Sequence, residues 1–195
     1  MVMLLRLFLR TKFSFWLACF LSKVLTLFYS FWTQKIAPVK RHETLKDVEE
    51  SLNRLVWAED KVVVLGVKLR HFWMRSAEEI QWHLDQHDTP QTDCDEFAIY
   101  AAKALGGIEE ALEPGVLMVR WTNGQGLTEG HNMAVYSYPS QDGVRLYGHI
   151  GNWGHFRGFN SVAKIVESVG NFVGARPIAY ALVSPDLKLI AYEKL

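Results

Sequence analysis

Cysteine is scarce in this chain, which holds only Cys19 and Cys94 among 195 residues. Two cysteines cannot build the disulfide framework of a small secreted protein, and neither lies in a CxxC pair or in a Cys/His quartet with structural zinc spacing. The composition also lacks the bias of disordered or low-complexity chains, because 49% of the residues are hydrophobic and 22% are charged. One ordinary globular domain with additional apolar sequence is therefore predicted.

Acidic residues are absent from the first 40 positions, which carry six Lys or Arg. The remaining 155 residues hold 15 basic and all 21 acidic residues, so the neutral total hides a basic segment and an acidic body. An acidic body argues against a nucleic-acid partner, since duplex binding uses clustered Lys and Arg to displace counterions from phosphate.

The N-terminal segment is strongly apolar. From Phe13 to Trp32, twenty residues contain Lys23 as their one charge, and twenty helical residues span about 30 Å, the thickness of a bilayer core. Three interpretations stay open for residues 1–33: a helix that spans or lies on a membrane and contacts lipid, a cleaved signal peptide, or a hydrophobic helix buried against the body or a partner. The signal peptide is the least favoured, because no small-x-small cleavage site follows.

Two regions are predicted on this basis: residues 1–40, a hydrophobic membrane-associating segment with its linker, and residues 41–195, the globular domain. The predicted location is membrane-associated, or cytoplasmic if the hydrophobic helix packs on the body. Basic residues flank the apolar run on both sides, so the positive-inside rule assigns no orientation.

The globular part begins with helical patterns. Thr44 with Asp47, and Ser76 with Glu79, have the spacing of N-terminal capping boxes, and apolar residues recur behind each at helical spacing. A third helix is predicted from about Asp93 to Leu105, ended by two glycines.

Beyond residue 105 the apolar period changes from helical to two, which indicates strands. A short helix is predicted after Asn160 or Ser161. Strands are predicted at 116–121, 131–138, 144–150, 178–184 and 187–192. Helices followed by antiparallel strands are typical of the α+β class.

Cys94 has the most informative position in the chain. It falls in the first turn of the third predicted helix, with Thr92 as the predicted N-cap and Asp95 completing a capping box. The helix dipole and unpaired backbone N–H groups favour a thiolate there and lower the thiol pKa. Asp93, Asp95 and Glu96 oppose this by charge repulsion, so an activated thiol requires an imidazole partner.

His131 and Asn152 are the predicted partners. His131 begins one predicted strand and Asn152 ends the next, and such positions are adjacent in an antiparallel pair. In a Cys-His-Asn triad, Cys94 is the nucleophile, His131 the general base and Asn152 the residue that orients the imidazole. His149 and Asp142 replace Asn152 if the register is shifted, and Asn152 also suits a turn.

The segment around Cys94 resembles the nucleophile motif of the transglutaminase-like cysteine peptidase superfamily, in particular the bacterial transglutaminase-like cysteine proteinases. That motif looks like Gly-Asp-Cys-[Asp/Glu]-Asp-[Phe/Tyr]-Ala, followed by a strand that begins with His and a neighbouring strand closed by Asp or Asn. Thr92 stands where the family has glycine, and Glu96 replaces a similar acid. The resemblance covers about residues 76–155. The matching residues are Asp93, Cys94, Asp95, Phe97 and Ala98.

The resemblance implies a papain-like α+β domain, with N-terminal helices packed on an antiparallel sheet, that catalyses thiol-dependent acyl transfer at an amide of a protein or peptide. The reaction forms a thioester on Cys94, and its acyl group is then transferred to water or to an amine. The Cys94 backbone N–H is one oxyanion donor. NlpC-type peptidoglycan hydrolases also share an Asp-Cys start, but they fit the segment after it less well. The alternative from another class is a non-catalytic transglutaminase-like module that binds a protein or peptide while the N-terminus docks on a membrane.

No cofactor or metal site is predicted. His83 and His87 have the i, i+4 spacing of two ligands on a helix, but the Glu of the metalloprotease signature is missing and no third ligand is evident. The glycines of Asn123-Gly124-Gln125-Gly126 precede a strand rather than a helix, which is the wrong context for a phosphate-binding loop.

Overall fold

The computed structural model describes residues 38–58, 61–64, 67–70 and 75–195. The hydrophobic segment predicted for residues 1–33 lies outside these residues. In the part that is described, no helix has the length and apolar character needed to cross a membrane.

The first three helices precede the strands of the large sheet, as predicted, but four short strands that were not predicted lie among these helices. The helices are α1 (Leu45–Leu52), α2 (Ala77–Asp85), α3 (Cys94–Leu105) and α4 (Val162–Val173). The strands are β1 (Val56–Trp57), β2 (Lys61–Val64), β3 (Val67–Arg70), β4 (Gln91–Thr92), β5 (Leu112–Thr122), β6 (Thr128–Pro139), β7 (Arg145–Gly151), β8 (Gly154–Phe159), β9 (Pro177–Val183) and β10 (Leu189–Lys194).

Six of these strands form one antiparallel sheet in the order β10-β9-β5-β6-β7-β8. The short strands β1 and β4 form a separate parallel pair. The β2–β3 hairpin belongs to a different compact unit from the one that comprises residues 37–60 and 74–195. Helices with an antiparallel sheet confirm the α+β class.

Each face of the sheet buries its own apolar core, because successive strand residues point to opposite sides. The first core lies between the sheet and α1 to α3. The second lies between the sheet and α4. Strand residues of the first core include Val116, Ala134, Tyr136 and Ile150, and those of the second include Leu117, Val119, Met133 and Val135.

Helix α3 lies close to the sheet because the side chains between them are small. Ala98, Ala101 and Ala102 are fully buried, and Ala134 of β6 meets them from the sheet. Two polar contacts hold α2 against α3: the Tyr100 hydroxyl donates to Gln81 Oε1 at 3.0 Å, and Lys103 pairs with Glu78 at 2.6 Å. Helix α3 is therefore held between α2 and the sheet.

Strand β8 was not predicted from the sequence. It follows β7 after a two-residue turn, Asn152 and Trp153, and Gly151 pairs with Gly154 across that turn. Most of its side chains are exposed, so it lacks the alternating apolar pattern by which a half-buried strand is recognised.

Gly115 on β5 lies where the chain has no room for a side chain. A Cβ there would be 2.7 Å from the backbone oxygen of Val183 on the neighbouring strand β9. Gly115→Ala is therefore expected to lower the free energy of unfolding by about 1–3 kcal/mol, the usual cost of overpacking a rigid site. Gly124→Ala is the control, since a Cβ there meets nothing within 4 Å. Denaturant unfolding followed by tryptophan fluorescence measures both, and equal stabilities would contradict the close approach of the strands.

Candidate active site

The N-terminus of α3 is capped by Asp93, whose Oδ1 accepts the backbone N–H groups of Asp95 at 2.9 Å and Glu96 at 3.1 Å. The prediction of Thr92 as N-cap was wrong by one residue. Thr92 instead lies in β4, where it pairs with Trp57, so its backbone is held extended and the helix begins at Cys94. This places the Cys94 thiol at the first helical residue.

The thiol of Cys94 is half-buried between α3 and Asn132 of β6. Its Sγ donates to Asp95 Oδ1 at 3.3 Å, and the same oxygen accepts Asn132 Nδ2. The side chain of Asn132 is therefore linked to the thiol through Asp95 Oδ1, and its backbone N–H acts on the thiol pKa.

These surroundings keep the thiol protonated. Burial raises the pKa of Cys94 to about 12, and the negative charges of Asp95 and Asp93 act in the same direction. The Asn132 N–H lowers the thiol pKa but does not compensate for burial and charge. The predicted lowering of the pKa by the helix terminus is thus outweighed in the resting structure.

His131 is buried on the face of the sheet opposite to α3. It pairs with Val119, whose side chain belongs to the core under α4, whereas Asn132 pairs with Met118, which packs on the core under α3. The His131 ring stacks on Trp153 with centroids 3.6 Å apart and planes at 7°. Burial, with a contribution from His149, lowers the pKa of His131 to about 4, so the ring is neutral at pH 7.

The prediction that His131 begins its strand was wrong, because β6 begins at Thr128 and His131 is its fourth residue. The structure brings Cys94 close to Asn132, the next residue of β6, but does not join Cys94 and His131 in a hydrogen bond. In the part of the chain that the structure describes, the sulfur donates to Asp95, which also accepts from Asn132. Asn132 was missed because the resemblance directs attention to the histidine. Side chains alternate along a strand, so only one of His131 and Asn132 can face α3. This alternation identifies the residue near Cys94 once it is known which side of the sheet α3 covers.

Asn152 is the first residue of the turn between β7 and β8, one residue beyond the strand that it was predicted to end. It is half-buried, and its Oδ1 is a buried atom with no hydrogen-bond partner among the described residues. Of the two substitutes, His149 lies on β7 beside Phe156 and Phe159, and Asp142 is exposed in the turn before β7.

His83 and His87 do not share a helix face, contrary to the spacing argument. Helix α2 ends at Asp85, and His87 follows it with a φ of 62°. His83 Nδ1 lies 3.2 Å from Asp88 Oδ2. Among the described residues, no group of three or more His, Cys, Asp or Glu side chains is arranged to hold a metal ion.

A second group of polar side chains lies on the α3 side of the sheet and was not predicted. His155 of β8 contacts Glu49 of α1 through Nδ1, and its Nε2 lies 2.5 Å from the Tyr136 hydroxyl on β6. Glu49 and His155 line a cavity of about 270 Å³. Asn53 and the apolar side chains Leu52, Phe97 and Ile150 also line it.

No protein family model matches this chain, and no curated protein matches it.

Proposed function

We propose that this domain is a thiol-dependent amide hydrolase or acyl transferase, with Cys94 as its nucleophile and a protein or peptide as its substrate. The observation that carries the proposal is the position of Cys94. It is the first residue of a buried helix, and its sulfur shares the acceptor Asp95 Oδ1 with the side chain of Asn132, the neighbour of His131 in β6. A papain-like or transglutaminase-like fold is part of the proposal and rests on the resemblance of the motif around Cys94.

In the proposed reaction the thiol proton passes to the His131 imidazole while the sulfur bonds to the amide carbon. The tetrahedral intermediate then expels the amine, which takes the proton back from the imidazole, and a thioester remains on Cys94. Water or a second amine attacks the thioester and releases the thiol. The Cys94 backbone N–H is the proposed first oxyanion donor, and Asn152 is the proposed orienting residue for the imidazole.

The described arrangement corresponds to a resting state in this proposal. The thiol donates to Asp95, and His131 is stacked on Trp153. Formation of the Cys-His pair requires the thiol to leave Asp95 and the imidazole to leave the Trp153 ring. It also requires a change of the β6 backbone at residues 131–132 that turns the imidazole from the α4 face of the sheet to the α3 face. Substrate binding is the proposed cause of these movements.

The second candidate function is a non-catalytic transglutaminase-like module that binds a protein or peptide. One observation favours it: the thiol is protonated, and the imidazole lies on the opposite face of the sheet. In both candidates we propose that residues 1–33 associate with a membrane, on the basis of their apolar composition.

The pH dependence of Cys94 alkylation separates the two candidates. If the domain is an enzyme, the rate at which iodoacetamide alkylates Cys94 in the full-length Cys19→Ser protein is expected to show a step between pH 6 and 8. The step comes from the small fraction of molecules in which the thiol pairs with His131. His131→Ala is expected to lower the rate in this window by at least about tenfold, since each pKa unit changes the thiolate fraction tenfold. His87→Asn, at an exposed position, is the control.

Identical pH profiles for the parent protein and His131→Ala would contradict the Cys-His pairing. The non-catalytic module would then be the better description. If a substrate is found, His131→Ala is expected to reduce its turnover by roughly 10²–10⁴-fold, as for other general bases.

A further inference from the structure

The cavity of about 270 Å³ beside α3 begins close to the proposed nucleophile. Phe97, which lines it, follows Cys94 by three residues, or about 4.5 Å of helix rise. On the sheet side, Gly151 lines it and immediately precedes Asn152. An extended peptide advances about 3.3 Å per residue. If the reacting amide of a peptide substrate lies at Cys94, the side chain one or two residues along the substrate from that amide therefore lies at this cavity.

The Tyr136 hydroxyl and the Glu49 carboxylate hold the two ring nitrogens of His155. Tyr136 is only 1% exposed, and the one hydrogen bond of its hydroxyl in the described structure is to His155 Nε2. Burial raises the pKa of Tyr136, so the phenol keeps its proton. That proton must be donated to Nε2, because a buried O–H without an acceptor costs about 1–3 kcal/mol.

Since Nε2 accepts a hydrogen bond, the proton of the imidazole is on Nδ1. Nδ1–H donates to the Glu49 carboxylate. The Glu49 side chain is 39% exposed at the cavity. The carboxylate is held in place by the imidazole and is open to a ligand in the cavity.

The rest of the cavity wall suits a side chain with an apolar stem. Leu52, Phe97 and Ile150 supply apolar surface, and Asn53, the C-cap of α1, supplies a second polar group. The volume corresponds to about nine water molecules at roughly 30 Å³ each, which is smaller than most pockets for drug-sized ligands. A single long side chain with an apolar stem and a polar end fits this description.

We propose that this cavity is a specificity pocket for a positively charged substrate side chain near the reacting amide, with Glu49 as its counter-ion. This inference rests on the proposed function, because it takes Cys94 as the point of reaction. Glu49 is a specificity residue in it, and His155 and Tyr136 are positioning residues that hold the Glu49 carboxylate.

Three haloacetamides of equal reach test the pocket without a known substrate. N-(5-aminopentyl)iodoacetamide carries a cation, N-hexyliodoacetamide is neutral, and N-(4-carboxybutyl)iodoacetamide carries an anion. The full-length Cys19→Ser protein, in an uncharged detergent at pH 9, limits the reaction to Cys94 and keeps the amine protonated. Each rate is divided by that of plain iodoacetamide with the same variant, so that the reactivity of the thiol cancels.

The cationic reagent is expected to react about threefold faster than the neutral one, within the roughly 1.4- to 5-fold range of a half-exposed ion pair. Glu49→Gln is expected to reduce this ratio to about one. Glu50→Gln is the matched control, because it removes the same charge from the next residue of α1, where Glu50 pairs with exposed Lys46 outside the cavity. Asn53→Asp adds a charge to the cavity wall and is expected to raise the ratio, which tests the pocket independently of Glu49.

Equal ratios in the parent protein, Glu49→Gln and Asn53→Asp would overturn the pocket, as would a preference for the anionic reagent. The proposed function fails in a different way: His131→Ala leaves the iodoacetamide pH profile unchanged, whatever the ratio of cationic to neutral reagent.

Discussion

Lowering the pH from 7 to 4.5 is expected to reduce the free energy of unfolding by several kcal/mol through two buried histidines. Burial lowers the pKa of both His131 and His149 from 6.5 to about 4, and a neighbouring histidine adds to the effect in each case. Between pH 6.5 and 4 the unfolded chain therefore binds more protons than the folded protein. Their stabilising effect is complete above pH 6.5 and is lost as the pH falls through this window.

Each histidine is expected to contribute about 2–3 kcal/mol to this loss at pH 4.5, from a pKa difference of about 2.5 units at 1.36 kcal/mol per unit. His149 is 7% exposed and lies between Phe156 and Phe159, with ring centroids at 5.0 and 5.5 Å. An imidazolium there has no carboxylate among these ring contacts to compensate the loss of solvent.

His149→Gln is expected to remove about half of the acid-induced loss. Urea unfolding at pH 7 and pH 4.5, followed by tryptophan fluorescence, gives the difference in unfolding free energy for each variant. His87→Asn is the control and is expected to keep the full loss, because His87 is exposed. An acid-induced loss of the same size in His149→Gln and the parent protein would show that His149 is not the group that titrates.

Asp95→Asn is expected to raise the rate at which iodoacetamide alkylates Cys94 at pH 8 by at least about tenfold. Asp95 raises the thiol pKa twice, through its negative charge and by accepting the S–H hydrogen bond. The amide removes the charge and keeps nearly the same shape. A fall of one pKa unit multiplies the thiolate fraction tenfold when the pH lies well below the pKa.

The full-length Cys19→Ser protein provides the background for this measurement, and Asp142→Asn is the control, since Asp142 is in an exposed turn. The alkylation rate of the parent protein is expected to keep rising above pH 9. In Asp95→Asn the same rise in rate is expected at lower pH. An unchanged rate in Asp95→Asn would mean that burial alone holds the thiol protonated.

Much of the fold follows from local sequence. The capping residues Thr44 and Ser76 were predicted and do cap α1 and α2. Cys94 was predicted in the first turn of its helix and is its first residue. These features depend on hydrogen bonds between residues two to four positions apart, which a sequence pattern records directly.

The pairing of faces does not follow from local sequence. His131 and Asn132 are consecutive, so one of them points toward α3 and the other toward α4, and a shift of one residue exchanges them. The sequence places both at the start of a strand but does not say which side α3 covers. Glu49 and His155 were missed for a related reason: they are 106 residues apart and meet only when α1 packs beside β8.

Strand β6 belongs to both cores, and this makes the thiol and the imidazole mechanically dependent on each other. The residue linked to the thiol through Asp95 and the residue that stacks on Trp153 are neighbours in the chain, with Cα atoms about 3.8 Å apart across one rigid peptide plane. A rotation of that plane that moves the imidazole away from Trp153 therefore also moves Asn132, whose side chain shares the Asp95 oxygen with the thiol.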